Sequence, residues 1–313
     1  MQGLELSRRY YEQFGAPMLR EQFPELLPLI AVGLFGSGSE CFGFDDDLSR
    51  DHDFSPDFCI FLPGEDRVDR QTAFRLERAY AKLPKEFEGV RRPLLAPVGG
   101  ERRGVLRTGE FFMEKTGTPD GDLTLLQWLQ LPAHYLAEAV NGEVWYDGPG
   151  EVTAIRQRLS LLPEDVRRKQ LAGHLLLMAQ AGQYNFPRCL AHREGGAAQL
   201  AVYEFVRHTL AAVFLLNRVH LPFYKWQFRA LRGLPLLGDL GEDLELLLTT
   251  DNGPEMGRAK EALIEDLAGR VILALQDQGL TEAVCGDLEK HARSVQDGVK
   301  NPELRNLHIL AGV

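Results

Sequence analysis

The chain has 313 residues, of which 44% are hydrophobic and 26% charged, and its formal net charge is −10 at pH 7. A chain of this length and composition can bury the cores of two ordinary globular domains. The acidic balance argues against nonspecific binding through a basic face, so a long nucleic acid is not expected as a partner. The four cysteines lie far apart and form neither a metal-binding nor a disulfide pattern, which favours reduced thiols in a cytoplasmic protein.

The N-terminal segment is charged, has no signal-peptide pattern and is predicted to be helical. A helix over Leu4 to Phe14 is expected to end near Gly15-Ala16-Pro17, and a second short helix over Met18 to Phe23 is expected to end before Pro24. Both are expected to pack on a sheet whose first strand is the apolar run Ile30 to Phe35.

The most informative stretch runs from Ala31 to Leu62. After the first strand comes the turn Gly36-Ser37-Gly38-Ser39, then six aspartates between Asp45 and Asp57, then a second apolar strand over Phe58 to Leu62. A turn rich in glycine and serine that leaves a strand exposes backbone N–H groups and hydroxyls, which can hold phosphate oxygens. All four turn residues are therefore candidate phosphate ligands, although Ser39 is equally suited to cap the next turn.

Asp51 and Asp53 are separated by one residue, so on an extended segment both carboxylates lie on one face. Because Mg²⁺ prefers oxygen ligands and often takes only one or two carboxylates beside substrate phosphates, this pair is the candidate site for Mg²⁺ or Mn²⁺. His52 lies on the opposite face of such a segment and is expected to be structural, with a role as metal ligand or base as the alternative. Asp45 or Asp46 is also expected to be structural.

Three other loop motifs fail on spacing. A P-loop would need lysine where Gly43 is followed by Phe44, and a dinucleotide fingerprint starting at Gly36 would need glycine where Cys41 stands. The glycine and glutamate of an EF-hand loop are also missing from their positions. The remaining alternative is an acidic surface loop with ordinary turn chemistry.

Gly36-Ser37, thirteen intervening residues and Asp51-His52-Asp53 resemble the signature of the polymerase-β-type nucleotidyltransferase superfamily. The fuller string from Gly36 to Phe54 is similar to a bacterial group of proteins that carries the label DUF4037, and this similarity covers the first half of the chain best. It implies an α+β fold, with a nucleotidyltransferase-type mixed sheet and helices followed by an all-α helical bundle. It also implies transfer of a nucleoside monophosphate from a nucleoside triphosphate, expected to be ATP, to a hydroxyl acceptor on a small molecule or protein.

The next part of the chain alternates helices with short strands. A domain boundary is predicted at Gly148-Pro149-Gly150, which gives a nucleotidyltransferase-like domain over 1–149 and a helical domain over 150–313. The predicted elements are a helix over Arg70 to Leu83, a strand over Val105 to Arg107, a helical turn over Glu110 to Lys115, helices over Leu123 to Leu131 and Pro132 to Val140, and a strand with a turn over Glu143 to Gly148.

The superfamily often has a third carboxylate on a later strand, where it can act as general base. The predicted strand over Val105 to Arg107 contains no acid, and Glu110 is the nearest candidate. A chain without this carboxylate would fit a second function, that of a nucleotide-binding sensor or antitoxin-like interaction protein.

From Glu151 onward the pattern is almost entirely helical, which predicts an antiparallel bundle with short connections. The apolar run Leu200 to Leu216 contains Glu204, Arg207 and His208, so we expect a buried helix and no membrane partner. The predicted helices are Glu151 to Leu162, Glu164 to Tyr184, Gly195 to Val219, Tyr224 to Leu231, Asp239 to Thr249, Glu255 to Gln278, Thr281 to Asp297 and Pro302 to Ala311.

One string in this half, Pro222 to Trp226, places Lys225 beside aromatic residues. A lysine can bind phosphate as a point charge and an aromatic ring can stack on a base, so Lys225 is a candidate nucleotide contact. A comparable Lys-Trp pair occurs in the group that the chain resembles. The alternative is a helix start with buried rings and a lysine lying along apolar surface.

Overall fold

The structure, a computed structural model, describes residues 2–46, 55–92 and 103–313. It divides into two compact units, the first formed by Met1–Leu123 and Tyr135–Leu161, the second by Thr124–His134 and Leu162–Val313. These units are defined by compactness alone, and the division into domains over 1–149 and 150–313 stays a prediction.

A mixed sheet organises the first unit. Its strands, in the order β5-β2-β1-β6, are accompanied by a separate hairpin of β3 and β4. The bounds are β1 (Ala31–Leu34), β2 (Cys59–Leu62), β3 (Glu86–Phe87), β4 (Val90–Arg91), β5 (Gly104–Arg107) and β6 (Glu143–Asp147).

The pairing of these strands gathers several chain segments at one end of the sheet. β1 is antiparallel to both β2 and β6, whereas β5 is parallel to β2. Gly33 pairs with Cys59, Cys59 with Gly104, and Leu34 with Glu143. The end of β1 and the starts of β2, β5 and β6 therefore lie at the same end of the sheet.

Helices precede, separate and follow the strands of this sheet along the chain. The first predicted helix does not end near Gly15, because the chain stays helical through a π-helical stretch, Tyr11–Gly15, into the next helix, where Pro17 lies in the first turn and its missing N–H is tolerated. The helices up to residue 161 are α1 (Gly3–Tyr10), α2 (Ala16–Gln22), α3 (Arg70–Ala81), α4 (Thr108–Thr116), α5 (Leu125–Gln130), α6 (Ala133–Val140) and α7 (Glu151–Ser160).

A buried ion pair joins the start of β2 to the end of the hairpin. Arg92 Nε donates to Asp57 Oδ1 at 2.6 Å, and both side chains are at most 2% exposed. The hydroxyl of Tyr80 donates to the same carboxylate oxygen at 3.1 Å, and Arg92 Nη1 donates to the hydroxyl of Tyr10 at 3.0 Å. Breaking such a pair leaves an uncompensated charge in the core, so its two members depend on each other.

The rest of the chain is helical, and the prediction of a mixed sheet with helices followed by a helical region is confirmed. The helices are α8 (Glu164–Met178), α9 (Phe186–Ala191), α10 (Gly195–Leu216), α11 (Gln227–Leu231), α12 (Gly241–Thr249), α13 (Pro254–Asp277), α14 (Leu288–Asp297) and α15 (Pro302–Asn306).

Two predicted helices in this region are too long. The helix predicted from Thr281 begins only at Leu288, because the side chain of Asp287 accepts a hydrogen bond from the N–H of Glu289 and caps the start. The helix predicted over Pro302 to Ala311 ends at Asn306. A further helix, α9, lies beyond the helix predicted over Glu164 to Tyr184 and was not predicted; a π-helical stretch, Ala179–Asn185, joins it to α8.

The apolar helix α10 is long and apolar enough to cross a membrane by length and composition, yet 67% of its apolar window is buried inside the structure. It also carries half of a histidine pair. The Nδ1 atoms of His174 on α8 and His208 on α10 lie 2.9 Å apart, and Glu204 and Arg207 flank the Nε2 atom of His208 at 3.2 Å. Burial lowers the pKa of His174 to about 3 and that of His208 to about 4, so both rings are neutral at pH 7.

Candidate functional site

The glycine-serine turn, Gly36 to Ser39, follows β1 at the end of the sheet where β2, β5 and β6 start. Gly36 and Gly38 have φ angles of +113° and +130°, which L side chains rarely adopt. A Cβ on Gly38 would also lie 2.6 Å from both carboxylate oxygens of Glu40. Glycine is therefore required at this position.

Three consecutive backbone N–H groups of this turn are available to a ligand. Within residues 2–46, 55–92 and 103–313, those of Ser37, Gly38 and Ser39 form no hydrogen bond, and the three residues are half-buried. Successive unpaired N–H groups form a concave site that attracts anions. The turn thus has the chemistry of a phosphate-binding loop.

Asn141, at the end of α6, holds the backbone of this turn in place. The N–H of Gly36 donates to Asn141 Oδ1 at 2.8 Å, and Asn141 Nδ2 donates to the carbonyl of Gly36 at 2.9 Å. Arg156 in turn donates to the carbonyl oxygens of Val140 and Asn141, and its guanidinium lies 4.4 Å from the centroid of the Phe35 ring. Burial lowers the pKa of Arg156 to about 10, which still leaves it charged at pH 7.

The side chain of Ser37 belongs to a second set of contacts, the Ser37 cluster, formed by Ser37, Lys115 and Glu138. The Ser37 hydroxyl donates to Glu138 Oε2 at 2.8 Å. Lys115 Nζ donates to the same carboxylate oxygen at 2.8 Å and to the Ser37 hydroxyl at 3.3 Å. A third hydrogen bond of 3.1 Å joins Lys115 to Glu114.

Lys115 is charged although its side chain is only 7% exposed. Burial disfavours the ammonium, but the hydrogen bond and charge of Glu138, followed by those of Glu114, outweigh this effect and raise the pKa of Lys115. The cluster therefore holds a charged ammonium that is paired with the carboxylate of Glu138 and contacts the hydroxyl of Ser37 in the turn.

On the other side of the turn, Arg103 precedes β5 and forms an ion pair with Glu40. Its guanidinium also donates to the carbonyl of Ser37 at 3.3 Å and contacts Cys41 Sγ at 3.5 Å. Burial raises the pKa of the Cys41 thiol to about 12, so this cysteine is neutral at pH 7 and is not a nucleophile there.

The predicted site residues fall into three groups. Gly36, Ser37, Gly38 and Ser39 form the turn described above, and the Ser39 hydroxyl does not cap the following turn in the described part of the chain. Asp51 and Asp53, like His52, lie outside the described residues. Of the acids expected to be structural, Asp45 accepts a hydrogen bond of 2.7 Å from the N–H of Gly3.

Glu110 and Lys225 are the remaining predicted site residues. Glu110 is exposed in the first turn of α4, and no contact among the described residues joins it to the Ser37 cluster. Lys225 belongs to the second unit, where it is exposed in a 3-10 turn, Tyr224–Trp226, with its Nζ 4.9 Å from the centroid of the Trp226 ring. Phe223 and Tyr224 beside it are 40% and 72% exposed, so these two rings are not the buried ones of the alternative interpretation.

The described carboxylates near the turn are already paired with cations. Glu40 pairs with Arg103 and Glu138 with Lys115, while Asp57 at the start of β2 pairs with Arg92. Among the residues that the structure describes, no group of three histidine, cysteine, aspartate or glutamate side chains could hold a metal ion. The predicted metal ligands, Asp51 and Asp53, are not among these residues.

Sequence reasoning missed Arg103, Lys115, Glu138 and Asn141. Lys115 and Glu138 contact Ser37 although they are 78 and 101 residues away in the sequence, and no sequence pattern predicts such contacts. Asn141 could have been predicted from its position. It lies, followed by Gly142, between a predicted helix and a predicted strand that starts at the end of the sheet where the turn was expected.

Comparison with protein families gives one match, between residues 128–227 and a domain of unknown function, DUF4037. The match covers less than half of the chain, and most of it lies beyond residue 150, where the sequence resemblance was weakest. It includes Glu138, Asn141, Arg156 and Lys225 but not the glycine-serine turn. No curated protein and no solved structure matches the chain.

Proposed function

We propose that this protein is a Mg²⁺-dependent nucleotidyltransferase, which moves a nucleoside monophosphate from a nucleoside triphosphate, with ATP as the expected donor, to a hydroxyl group of a small molecule or protein. The observation that carries this proposal is the glycine-serine turn with its three unpaired N–H groups, held by Asn141 at the end of the sheet where β2 starts. The aspartate pair of the sequence motif precedes β2 by a few residues.

The turn would bind phosphate oxygens of the donor through backbone N–H groups. Because Asn141 fixes the Gly36 backbone through both its N–H and its C=O, these groups need little reorganisation when the anion arrives. Preorganised donors of this kind supply much of the acceleration in phosphoryl-type transfer, where positioning and electrostatics dominate.

Asp51 and Asp53 would hold the metal, since two carboxylates are the hard oxygen donors that Mg²⁺ or Mn²⁺ prefers. A bound ion would neutralise charge on the phosphates. In the transfer itself the acceptor oxygen forms a bond to the α-phosphorus while the bond to pyrophosphate breaks. Glu110 is the proposed base that takes the proton of the acceptor hydroxyl.

In the second unit, Lys225 is proposed to bind phosphate and the exposed rings beside it to stack on the base. Phe223 and Tyr224 contact each other with ring centroids 4.4 Å apart, and His134 lies 5.6 Å from Phe223. Exposed aromatic rings next to a lysine are a common way to bind a base and its phosphate.

The test is to incubate the protein with radiolabelled nucleoside triphosphates, Mg²⁺ and panels of hydroxyl acceptors. We expect label transfer by the wild type. The rate of transfer by Asp51→Ala/Asp53→Ala should be at least about a hundredfold lower, which is roughly the effect of removing essential charge stabilisation. Asp277→Ala, which removes an exposed acid at the end of α13, is the matched control and should transfer normally. Equal labelling by the wild type and the double variant would refute the proposal.

One observation favours the second function, a sensor or antitoxin-like protein that binds a nucleotide without transferring it. The carboxylates of Glu40, Glu138 and Asp57 are ion-paired, and Glu110 is exposed on α4 with no contact to the Ser37 cluster among the described residues. Calorimetry separates the two functions: tight nucleotide binding without turnover across a broad acceptor panel would support the sensor.

A further inference from the structure

The Ser37 cluster contains a buried cation that always needs an anion beside it. Lys115 Nζ has three hydrogen-bond partners, and its side chain is 7% exposed, whereas those of Glu138 and Glu114 are 14% and 71% exposed. An ammonium removed from water without a counter-charge is costly, so an acceptor must occupy this place in every state of the protein.

Glu138 supplies this acceptor with a single oxygen atom. Its Oε2 accepts both from the Ser37 hydroxyl and from Lys115, each at 2.8 Å. One oxygen that receives a hydroxyl and an ammonium is the pattern by which proteins also hold a phosphate oxygen. The neighbouring N–H groups of Ser37, Gly38 and Ser39 point to the same class of ligand independently, because they have no acceptor among the described residues.

We propose that the Ser37 hydroxyl and Lys115 form a phosphoryl subsite together with the unpaired N–H groups of the turn, and that Glu138 occupies its two side-chain donors until a polyphosphate displaces it. This inference rests on the proposed function, since it names the residues that receive the triphosphate. It adds Lys115 as a ligand of the phosphate and makes Glu138 a competitor of the nucleotide rather than a contact that favours its binding.

The proposal predicts an unusual direction of change. Glu138→Gln keeps an oxygen acceptor of the same size for Ser37 and Lys115 but removes the negative charge that an incoming phosphate must displace. Like charges at hydrogen-bond distance repel strongly at a partly buried site, so the variant should bind polyphosphate about tenfold more tightly than the wild type.

The experiment measures binding of inorganic tripolyphosphate to the full-length protein by isothermal titration calorimetry. Glu114→Gln is the matched control, because it also removes one carboxylate from Lys115 but leaves Glu138 on the Ser37 hydroxyl; its affinity should stay within about threefold of the wild type. Lys115→Gln should weaken binding about tenfold or more, since a buried phosphate contact is lost.

Lys115→Gln leaves Glu138 without its cation and could prevent folding. Lys115→Gln/Glu138→Gln removes both charges and keeps hydrogen-bonding groups, and its affinity should fall well below that of Glu138→Gln alone. Thermal unfolding confirms that each variant is folded.

Unchanged or weaker binding by Glu138→Gln, relative to Glu114→Gln, would overturn the inference while leaving the proposed function intact if the wild type still binds ATP. Equal affinity of Glu138→Gln and the double variant would overturn the role of Lys115. Absence of tripolyphosphate and ATP binding in every folded variant and in the wild type would overturn both the inference and the proposed function.

Discussion

The contact between Asn141 and Gly36 can be tested by removing one side chain. Asn141→Ala deletes both hydrogen bonds to the Gly36 backbone, at 2.8 Å and 2.9 Å, and leaves the N–H and C=O of a buried glycine without these partners. Among the described residues, no other side chain forms hydrogen bonds with both of these backbone groups.

The expected loss of stability follows from these two bonds. A buried polar group that loses its partner costs about 1–3 kcal/mol, and Asn141 is only half-buried, so water can replace part of what is lost. Asn141→Ala should therefore lower the free energy of unfolding by about 2–4 kcal/mol. It should also weaken tripolyphosphate binding by about tenfold, because the turn is no longer held ready for the anion.

The matched control is Asn217→Ala in the second unit. Asn217 makes the same pair of contacts with Leu236, accepting from its N–H at 3.1 Å and donating to its C=O at 2.8 Å. This variant should lose similar stability in urea denaturation, yet its affinity for tripolyphosphate should not change. Comparison of the two variants therefore separates a general loss of stability from an effect on the turn.

A second substitution at the same position gives a pH-dependent result. Asn141→Asp keeps the acceptor for the Gly36 N–H, but when ionised it places a negative charge against the Gly36 carbonyl, which raises the pKa of the introduced carboxyl above its unfolded value. The stability it contributes is present below the unfolded pKa and is lost as the pH rises through the folded pKa. Its stability deficit relative to the wild type should therefore grow from pH 4 to pH 7, by roughly 1 kcal/mol or more.

The reasoning about the turn would be refuted if Asn141→Ala weakened tripolyphosphate binding no more than Asn217→Ala does. It would also be refuted if both variants bound the anion as the wild type does while Asn141→Ala alone lost stability. In either case Asn141 would only stabilise the fold.

Three further predictions concern stability. Acid should destabilise the second unit, because the folded pKa values of His174 and His208 lie below the unfolded value. The stability from the two neutral rings is full above about pH 6.5 and falls as the pH drops, by about 2 kcal/mol for each histidine at pH 5. His208→Gln should reduce this pH dependence in urea denaturation measured from pH 8 to pH 5. Asp57→Asn should cost about 3–5 kcal/mol in the same assay by leaving Arg92 buried without its counter-charge, and a loss below 1 kcal/mol would contradict this account. Gly142→Ala should cost more than 2 kcal/mol or prevent expression, because its φ is +58° and a Cβ would lie 2.1 Å from a carbonyl oxygen of β1, whereas Gly196→Ala, which meets no neighbouring atom, should be nearly neutral in thermal unfolding.

The sheet strands were predictable from the sequence because short apolar runs bounded by glycine, proline and aspartate have few other interpretations. The runs Ile30 to Phe35 and Phe58 to Leu62 contain β1 and β2, and the weaker strand predicted over Val105 to Arg107 lies in β5. The order of the strands was not predictable, since it depends on which strands pair, and β6 returns to β1 from more than 100 residues away.

Helix ends were less predictable than helices. Propensity alone predicts helix ends near Gly15 and at Tyr184. At both places a π-helical stretch, Tyr11–Gly15 or Ala179–Asn185, continues the helix into the next one. The helix predicted from Thr281 starts late, at Leu288, because the side chain of Asp287 caps its first turn, and a periodic apolar pattern does not contain this local preference.

The candidate site was predictable only where it is local in sequence. Four consecutive residues, Gly36 to Ser39, predict a turn that can hold an anion, and both glycines have the positive φ angles that such a turn needs. The residues that hold this turn come from three other segments, and their roles follow from strand pairing and helix packing. Lys115 in particular reads in the sequence as an ordinary exposed lysine at a helix end, whereas packing buries it.

Under the proposed function, the turn would bind the anion and a different part of the chain would bind the cation. The described acids beside the turn, Glu40, Glu138 and Asp57, are each neutralised by a lysine or arginine, so none of them remains to attract a metal ion. The uncompensated donors of the turn are backbone N–H groups, which attract anions without adding a full positive charge. A triphosphate bound there would keep most of its negative charge, and it would need a cation held by acids that come from elsewhere in the chain. The aspartate pair at 51 and 53 is the part of the sequence nearest to the start of β2 that can supply them.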